Sequence, residues 1–237
     1  MAKKQHIAHG KMPARKMALP TSLLKEAKTV NQQHWTYPGM DVYAEQEKVI
    51  DRLFRKTWAH VHTRIDIVKS KVATLNIYYG TCIQAVTTLA KGICTIDQQT
   101  NMDNRLQNGD LTLVNDIAGI LPKRRNLSFS TKYCACHNPV AYPIYDSLVA
   151  NYLAAVIAKG NLNITGLSIP STAQMKVLRQ MHANYPLYVD IYKAFVKQCH
   201  LTSLTYRQVD WYIWTACKFQ NNQINIFGQQ LNLFKLI

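Results

Sequence analysis

The sequence predicts an all-α protein. Apolar residues recur at helical spacing in one segment after another, and glycines and an Asn-Pro pair punctuate them. No convincing stretch alternates apolar and polar residues as a half-buried strand must. With 237 residues, 48% of them apolar and only 17% charged, the chain can bury a substantial core, and roughly seven to ten helices of modest length are expected.

Residues 1–20 carry Lys3, Lys4, Lys11, Arg15 and Lys16 with no apolar run, so they read as a flexible basic arm rather than a secretory signal; residues 21–237 read as one helical domain. A turn at Tyr37-Pro38-Gly39 precedes an amphipathic helix in which Val49, Ile50, Leu53, Phe54, Trp58 and Val61 share a face. Helices are then expected from about Ile65 to Tyr79 and from Thr81 to Ala90, the second ending at Gly92. Asp97 to Gly109 is polar throughout and reads as a surface connection. Short apolar helices follow at Leu111–Ile120, Ser130–His137 and Ser147–Ala158, then three more at about 171–182, 186–199 and 204–219.

Charge points to a partner. Lys and Arg number 28 against 13 Asp and Glu, a net charge of +15, and such an excess favours polyanions through counterion release. Nucleic acid is the first expectation; a ribosome-like or membrane-surface basic protein shares the composition. No segment approaches the roughly 20 apolar residues of a membrane span. The six cysteines do not read as a disulfide scaffold, which suits a reducing, cytoplasmic compartment.

Candidate chemistry concentrates in Lys123–Tyr152. Lys123, Arg124 and Arg125 form a basic turn between two short helices, and Ser130-Thr131-Lys132 is expected to open the second with free backbone N–H groups pointing outward. Such a helix start clamps phosphate, because its donors and its dipole both favour an anion, although an ordinary solvated turn has the same spacing. Pro143-Ile144-Tyr145-Asp146-Ser147 places an acid at the start of an apolar helix. Asp is a favoured N-cap, so capping is the plainer reading of Asp146. The two roles are compatible, since a carboxylate held by backbone N–H groups can also face a cleft.

Ser128-Phe129-Ser130-Thr131-Lys132 followed by Pro143-Ile144-Tyr145-Asp146 resembles the core of the helix-hairpin-helix DNA glycosylases, in particular the bacterial branch similar to 8-oxoguanine DNA glycosylases. Ser128 and Ser130 stand where that family carries glycine. Leu75-Asn76, Tyr79-Gly80-Thr81, Leu204-Thr205-Tyr206-Arg207, Asp210 and Trp214 resemble further positions, so the likeness is dense over Lys123–Tyr152 and scattered over most of 40–220. It implies a two-lobed helical bundle with a helix-hairpin-helix core at about 111–160. It also implies a monomeric enzyme, needing no cofactor, that flips a damaged or modified base out of double-stranded DNA and cuts its N-glycosidic bond.

In that scheme Asp146 stabilises positive charge on the sugar, and Lys132 attacks as a desolvated amine. If Lys132 only contacts phosphate, water is the nucleophile and no lyase step follows. Lys123, Arg124, Arg125, Ser128, Ser130 and Thr131 would hold DNA. Tyr133, His137, Tyr145 and Trp214 would line the base pocket, with Tyr142 and Trp211 as further aromatic candidates; Trp211 and Trp214 equally fit core packing. Oxidised purines and the hypermodified bases of phage DNA are both substrates the resemblance allows, one pointing to repair and the other to antiviral defence.

Rival chemistry is thinner. Cys134-x-Cys136-His137 lacks the paired ligand spacing of a zinc site, and its three positions spread around a helix. The acids are too scattered for a magnesium-dependent nuclease. The alternative from another class is a helix-hairpin-helix DNA-binding protein without catalysis.

Overall fold

A computed structural model describes residues 23–33, 41–162, 164, 173–221 and 233. The basic arm expected at 1–20 lies outside them. The described residues form eleven α-helices and no strand: α1 Leu23–Gln33, α2 Asp41–Asp51, α3 Ile65–Tyr79, α4 Val86–Thr100, α5 Met102–Gln107, α6 Leu111–Gly119, α7 Leu127–His137, α8 Ser147–Ala158, α9 Gln174–Ala183, α10 Tyr185–Gln198 and α11 Tyr206–Asn221.

The all-α expectation holds, with three local differences. The amphipathic stretch does not run on to Val61: α2 widens into a π-helical turn at Arg52–Lys56, where Thr57 N–H reaches back to the Arg52 carbonyl at 2.9 Å. This turn buries Leu53 and Phe54 side by side. The second difference is that α4 passes through Gly92 and ends at Thr100. A Cβ on Gly92 would lie 2.4 Å from Ile120 Cγ2, so glycine here serves close approach to the segment after α6 and not helix termination.

The third difference is that the polar stretch from Asp97 is folded. Asn101, at φ +52°, caps both α4 and α5, its side chain accepting from Asn104 N–H at 3.1 Å, while Asp97 accepts from Met102 N–H at 3.0 Å. Arg105 then pairs with Asp110 and Asp116, both at 2.7 Å, and Asp110 caps α6. Asparagines and aspartates that read as loop are here used as caps.

Packing falls into two groups. α2 to α7 pack on one another, α3 with α4 and α6 with α7 most extensively; α8, α9, α10, α11 and α1 form the second group, and α10 joins the first through α6. α7 runs through the centre, with Leu127 and every residue from Phe129 to Cys136 buried. No helix among the described residues is long and apolar enough to cross a membrane.

Gly92→Ala should cost about 1–3 kcal/mol of unfolding free energy through overpacking against Ile120. Urea denaturation would check this, and Ile120→Ala in the same chain should recover part of the loss.

Candidate functional site

The segment between α7 and α8 is extended, and three of its backbone groups are held from α7 and α10. Tyr185 donates its hydroxyl to the Pro143 carbonyl at 2.8 Å, Tyr188 donates to the Ile144 carbonyl at 2.6 Å, and Tyr145 N–H donates to Thr131 Oγ1 at 3.1 Å. Tyr142 anchors the segment's start by donating to the Arg105 and Asp110 carbonyls at 3.0 and 3.3 Å. The chain therefore reaches Asp146 in a fixed pose. Asp146 is the N-cap of α8, its Oδ1 accepting from Leu148 N–H at 2.8 Å. Its other oxygen lies 4.0 Å from Lys132 Nζ.

Lys132 and Asp146 share a cleft of about 400 Å³ between the two helix groups. α2 contributes Tyr43, Gln46, Glu47 and Ile50, one stripe at helical spacing, and α11 contributes a matching stripe of Arg207, Asp210, Trp211 and Trp214. The end of α3 supplies Ile77, Tyr78 and Tyr79. Trp214 meets Tyr43 edge-on at 6.0 Å between ring centroids, and Lys218 Nζ sits over Trp214 at 4.3 Å.

Electrostatics in the cleft are coupled. Lys132, 5% exposed, donates to Ser128 Oγ at 2.6 Å and lies 5.5 Å from the Tyr79 ring. Burial holds its ammonium below the ordinary lysine range, while the carboxylates of Asp146 and Asp210 oppose that shift. Arg207 is the hub: it pairs with Glu47, donates to Tyr79 Oη at 3.0 Å and to Asp210 Oδ2 at 3.4 Å, and lies over Trp211. Burial pushes the Asp210 carboxyl up to about 7 despite Arg207, and Asp210 Oδ1 is buried with no hydrogen-bond partner.

The expected site residues divide. Lys132, Asp146, Trp214 and Trp211 come together in the cleft. Ser130 and Thr131 do not reach its surface or any phosphate: both are fully buried, because α7 begins at Leu127 and they occupy its second turn. Ser130 N–H and Oγ both go to the Asn126 carbonyl, at 3.0 and 2.9 Å, and Thr131 holds the segment that presents Asp146. Ser128 holds Lys132. Arg125 is engaged within the fold, donating to Asn115 Oδ1 at 2.5 Å and to the His182 carbonyl at 3.1 Å, whereas Lys123 and Arg124 are exposed.

Four of the expected aromatic residues face elsewhere, Tyr142 among them, its hydroxyl bonded to the Arg105 and Asp110 carbonyls. Side chains alternate along the extended segment, so Ile144 and Asp146 face the cleft while Tyr145 turns away to meet Tyr188 and His182. Tyr133 and His137, on the opposite face of α7, pack against Phe54 in a buried polar cluster with His62 and Lys71. There Tyr133 Oη lies 3.3 Å from His62 Nδ1 and Asp103 lies 3.1 Å from His62 Nε2. Burial first, and Lys71 second, push the His62 ring down to about 4. Burial also raises the Cys136 thiol to about 12 and that of Cys134 further, which disfavours the thiolates a zinc site requires.

Glu47, Tyr79, Arg207 and Asp210 had no assigned role from the sequence. Arg207, Asp210, Trp211 and Trp214 carried a signal nonetheless: an i, i+3, i+4, i+7 stripe that mixes charge with tryptophan is not a core stripe.

Comparison with known proteins places the described fold in context. Residues 22–141 match the family model HI_0787_N, an N-terminal domain, and this stretch runs from the residue before α1 to just past α7, slightly over half of the chain. A Haemophilus influenzae protein, bearing only the description "Uncharacterized protein", is 38% identical over 94 residues, which make up 38% of this chain and 45% of that relative. The match thus spans less than half of the relative's length. No solved structure matches.

Arg207→Met should cost about 3–5 kcal/mol in unfolding free energy, because it strands the Glu47 carboxylate and removes the partner of Asp210 Oδ2. An unchanged urea midpoint would mean the guanidinium does not hold the cleft together. His62 is depressed in the folded state, so its stabilising contribution is present above 6.5 and is lost as pH falls towards 4. Over that window the wild type should lose roughly 3 kcal/mol relative to His62→Gln, measured as the difference between their unfolding free energies.

Proposed function

Taking as premise that the chain belongs to the HI_0787_N family, we propose that it is a DNA glycosylase, excising a flipped-out base from double-stranded DNA at the cleft between α2, α3 and α11. One observation carries the reading: a desolvated lysine amine and a helix-capping carboxylate sit 4.0 Å apart in an aromatic cleft large enough for one base. Cleaving an N-glycosidic bond with capture of the sugar by an amine uses both. As the C1′–N bond lengthens, its electron pair leaves with the base and positive charge grows on the sugar; in this reading Asp146 is the carboxylate that stabilises that charge. Lys132 in its neutral form forms the new bond to C1′, and its surplus proton passes to Asp146. The resulting protein–DNA adduct is the entry to a lyase step.

The finer architecture of the proposal is a two-lobed bundle in which α6, the loop 120–126 and α7 form the helix-hairpin-helix, followed by the acid that caps α8. Lys123 and Arg124, exposed in that loop, are the phosphate contacts of this scheme. Trp211, Trp214 and Tyr43 supply the faces against which a flipped base stacks. The protein acts as a monomer, in the cytoplasm, either in repair of oxidised purines or in defence against phage DNA with modified bases.

Duplexes carrying oxidised or hypermodified bases, incubated with the protein and treated with alkali, should break at the modified position. Asp146→Asn should reduce breakage by a factor of roughly 100 or more while DNA binding persists. Borohydride should trap a covalent adduct with the wild type and none with Lys132→Gln. Tight binding with no strand breaks on any duplex would replace this reading with that of a non-catalytic DNA-binding protein.

A further inference from the structure

We propose that Asp210 is a second catalytic group of the cleft, the acid whose buried, unpartnered Oδ1 delivers a proton to the departing base. The inference rests on the excision reading above and extends it to the leaving group. Asp210 stands on the α11 stripe that lines the cleft, one residue before Trp211 and four before Trp214. It is 6% exposed, and it lines the same cleft as Lys132 and Asp146. Its two oxygens differ. Oδ2 accepts from Arg207 at 3.4 Å, whereas Oδ1 has no partner. A buried carboxyl oxygen left unpaired is an exception that calls for an explanation, and a catalytic role is one.

The charges around Asp210 decide which form it holds. Arg207 on its own helix and Lys132 on α7 favour the carboxylate; Glu47 on α2 and Asp146 before α8 oppose it, and burial opposes it most. From α10, Tyr188 and Tyr192 come near enough to feel its charge, and burial raises both phenols well above their usual range, so they bring no charge of their own. The balance sets the acid form to titrate at about 7, so a proton is present on Asp210 and can leave it under ordinary conditions. A proton moved from Lys132 to Asp210 creates the amine nucleophile and the acid together, with no change in the charge of the cleft.

The step balances. The C1′–N bond breaks with its electron pair going to the base, the Asp210 O–H bond breaks as an N–H or O–H bond forms on that base, and the sugar is captured by Lys132 or by water. Asp210 is left as a carboxylate and is reprotonated from solvent.

Single-turnover excision by the full chain tests this, using duplexes whose target bases range from poor to good leaving groups. Wild-type rates should fall as pH rises through about 7. Asp210→Asn should slow release of poor leaving groups by roughly 100-fold or more, flatten that limb of the profile, and spare both duplex affinity and the best leaving group. An equal loss for all leaving groups with the limb intact would overturn the proposal while leaving excision standing. Excision of nothing by the wild type would overturn both. Carboxyl-carbon NMR of the wild type gives a readout independent of substrate and of how well the variant folds: a carboxyl of Asp210 titrating near 7 supports the assignment, and one titrating near 4 overturns it.

Discussion

Everything in the cleft depends on how the backbone from Pro143 to Asp146 is held. An extended segment in the middle of a helical protein has no ladder to satisfy its amides and carbonyls, so each must find a partner elsewhere. Tyr185 and Tyr188 of α10 take the two carbonyls, and Thr131 of α7 takes the intervening N–H. These bonds fix the direction from which α8 starts, and its first uncapped amide fixes Asp146. A carboxylate aimed in this way needs no ordering when a ligand arrives, which is the condition under which electrostatic stabilisation is most effective.

α7 serves two environments from one helix. Lys132 looks into the cleft; Tyr133 and His137 look away from it into the cluster with His62 and Lys71. A helix buried on nearly all sides is ordinarily apolar. Here every polar group on it is answered: Ser130 and Thr131 by backbone, Lys132 by Ser128, His137 by Lys71. The result is a rigid element that carries a buried lysine amine at its centre. Rigidity also explains why Ser130 and Thr131, whose residue types suit a phosphate loop, instead hold protein to protein.

The helices were legible in the sequence because their apolar spacing survives in α3, α6, α8 and α10. Where the reading failed, polar residues were doing structural work that spacing cannot reveal. Asp97 and Asn101 cap helices, so a polar tract that resembled a loop folds as helix ends. Gly92, which resembled a stop, is there for Ile120. In the cleft, Lys132 and Asp146 were singled out through the resemblance, since pattern alone reads Asp146 as a helix cap. Glu47 was not noticed, and Tyr79 and Asp210 were noted as points of likeness without a role, because each becomes part of the cleft only when α2, α3 and α11 converge, and that convergence is a long-range event. Tyr145 shows the converse: adjacency to Asp146 in sequence suggested a shared pocket, and the alternation of an extended chain sends it to the other side.

The cleft also straddles a seam in the chain. Glu47, Tyr79 and Lys132 lie within the stretch 22–141 shared with the HI_0787_N family, while Asp146, Arg207 and Asp210 lie beyond it. A protein related through that stretch alone corresponds to the part of this chain that holds Lys132, and not to the parts that hold Asp146, Arg207 and Asp210. Kinship of this kind covers one wall of the cleft and leaves the other to the rest of the chain. What such a protein does with it is decided by whichever helices its remaining sequence lays across the opening.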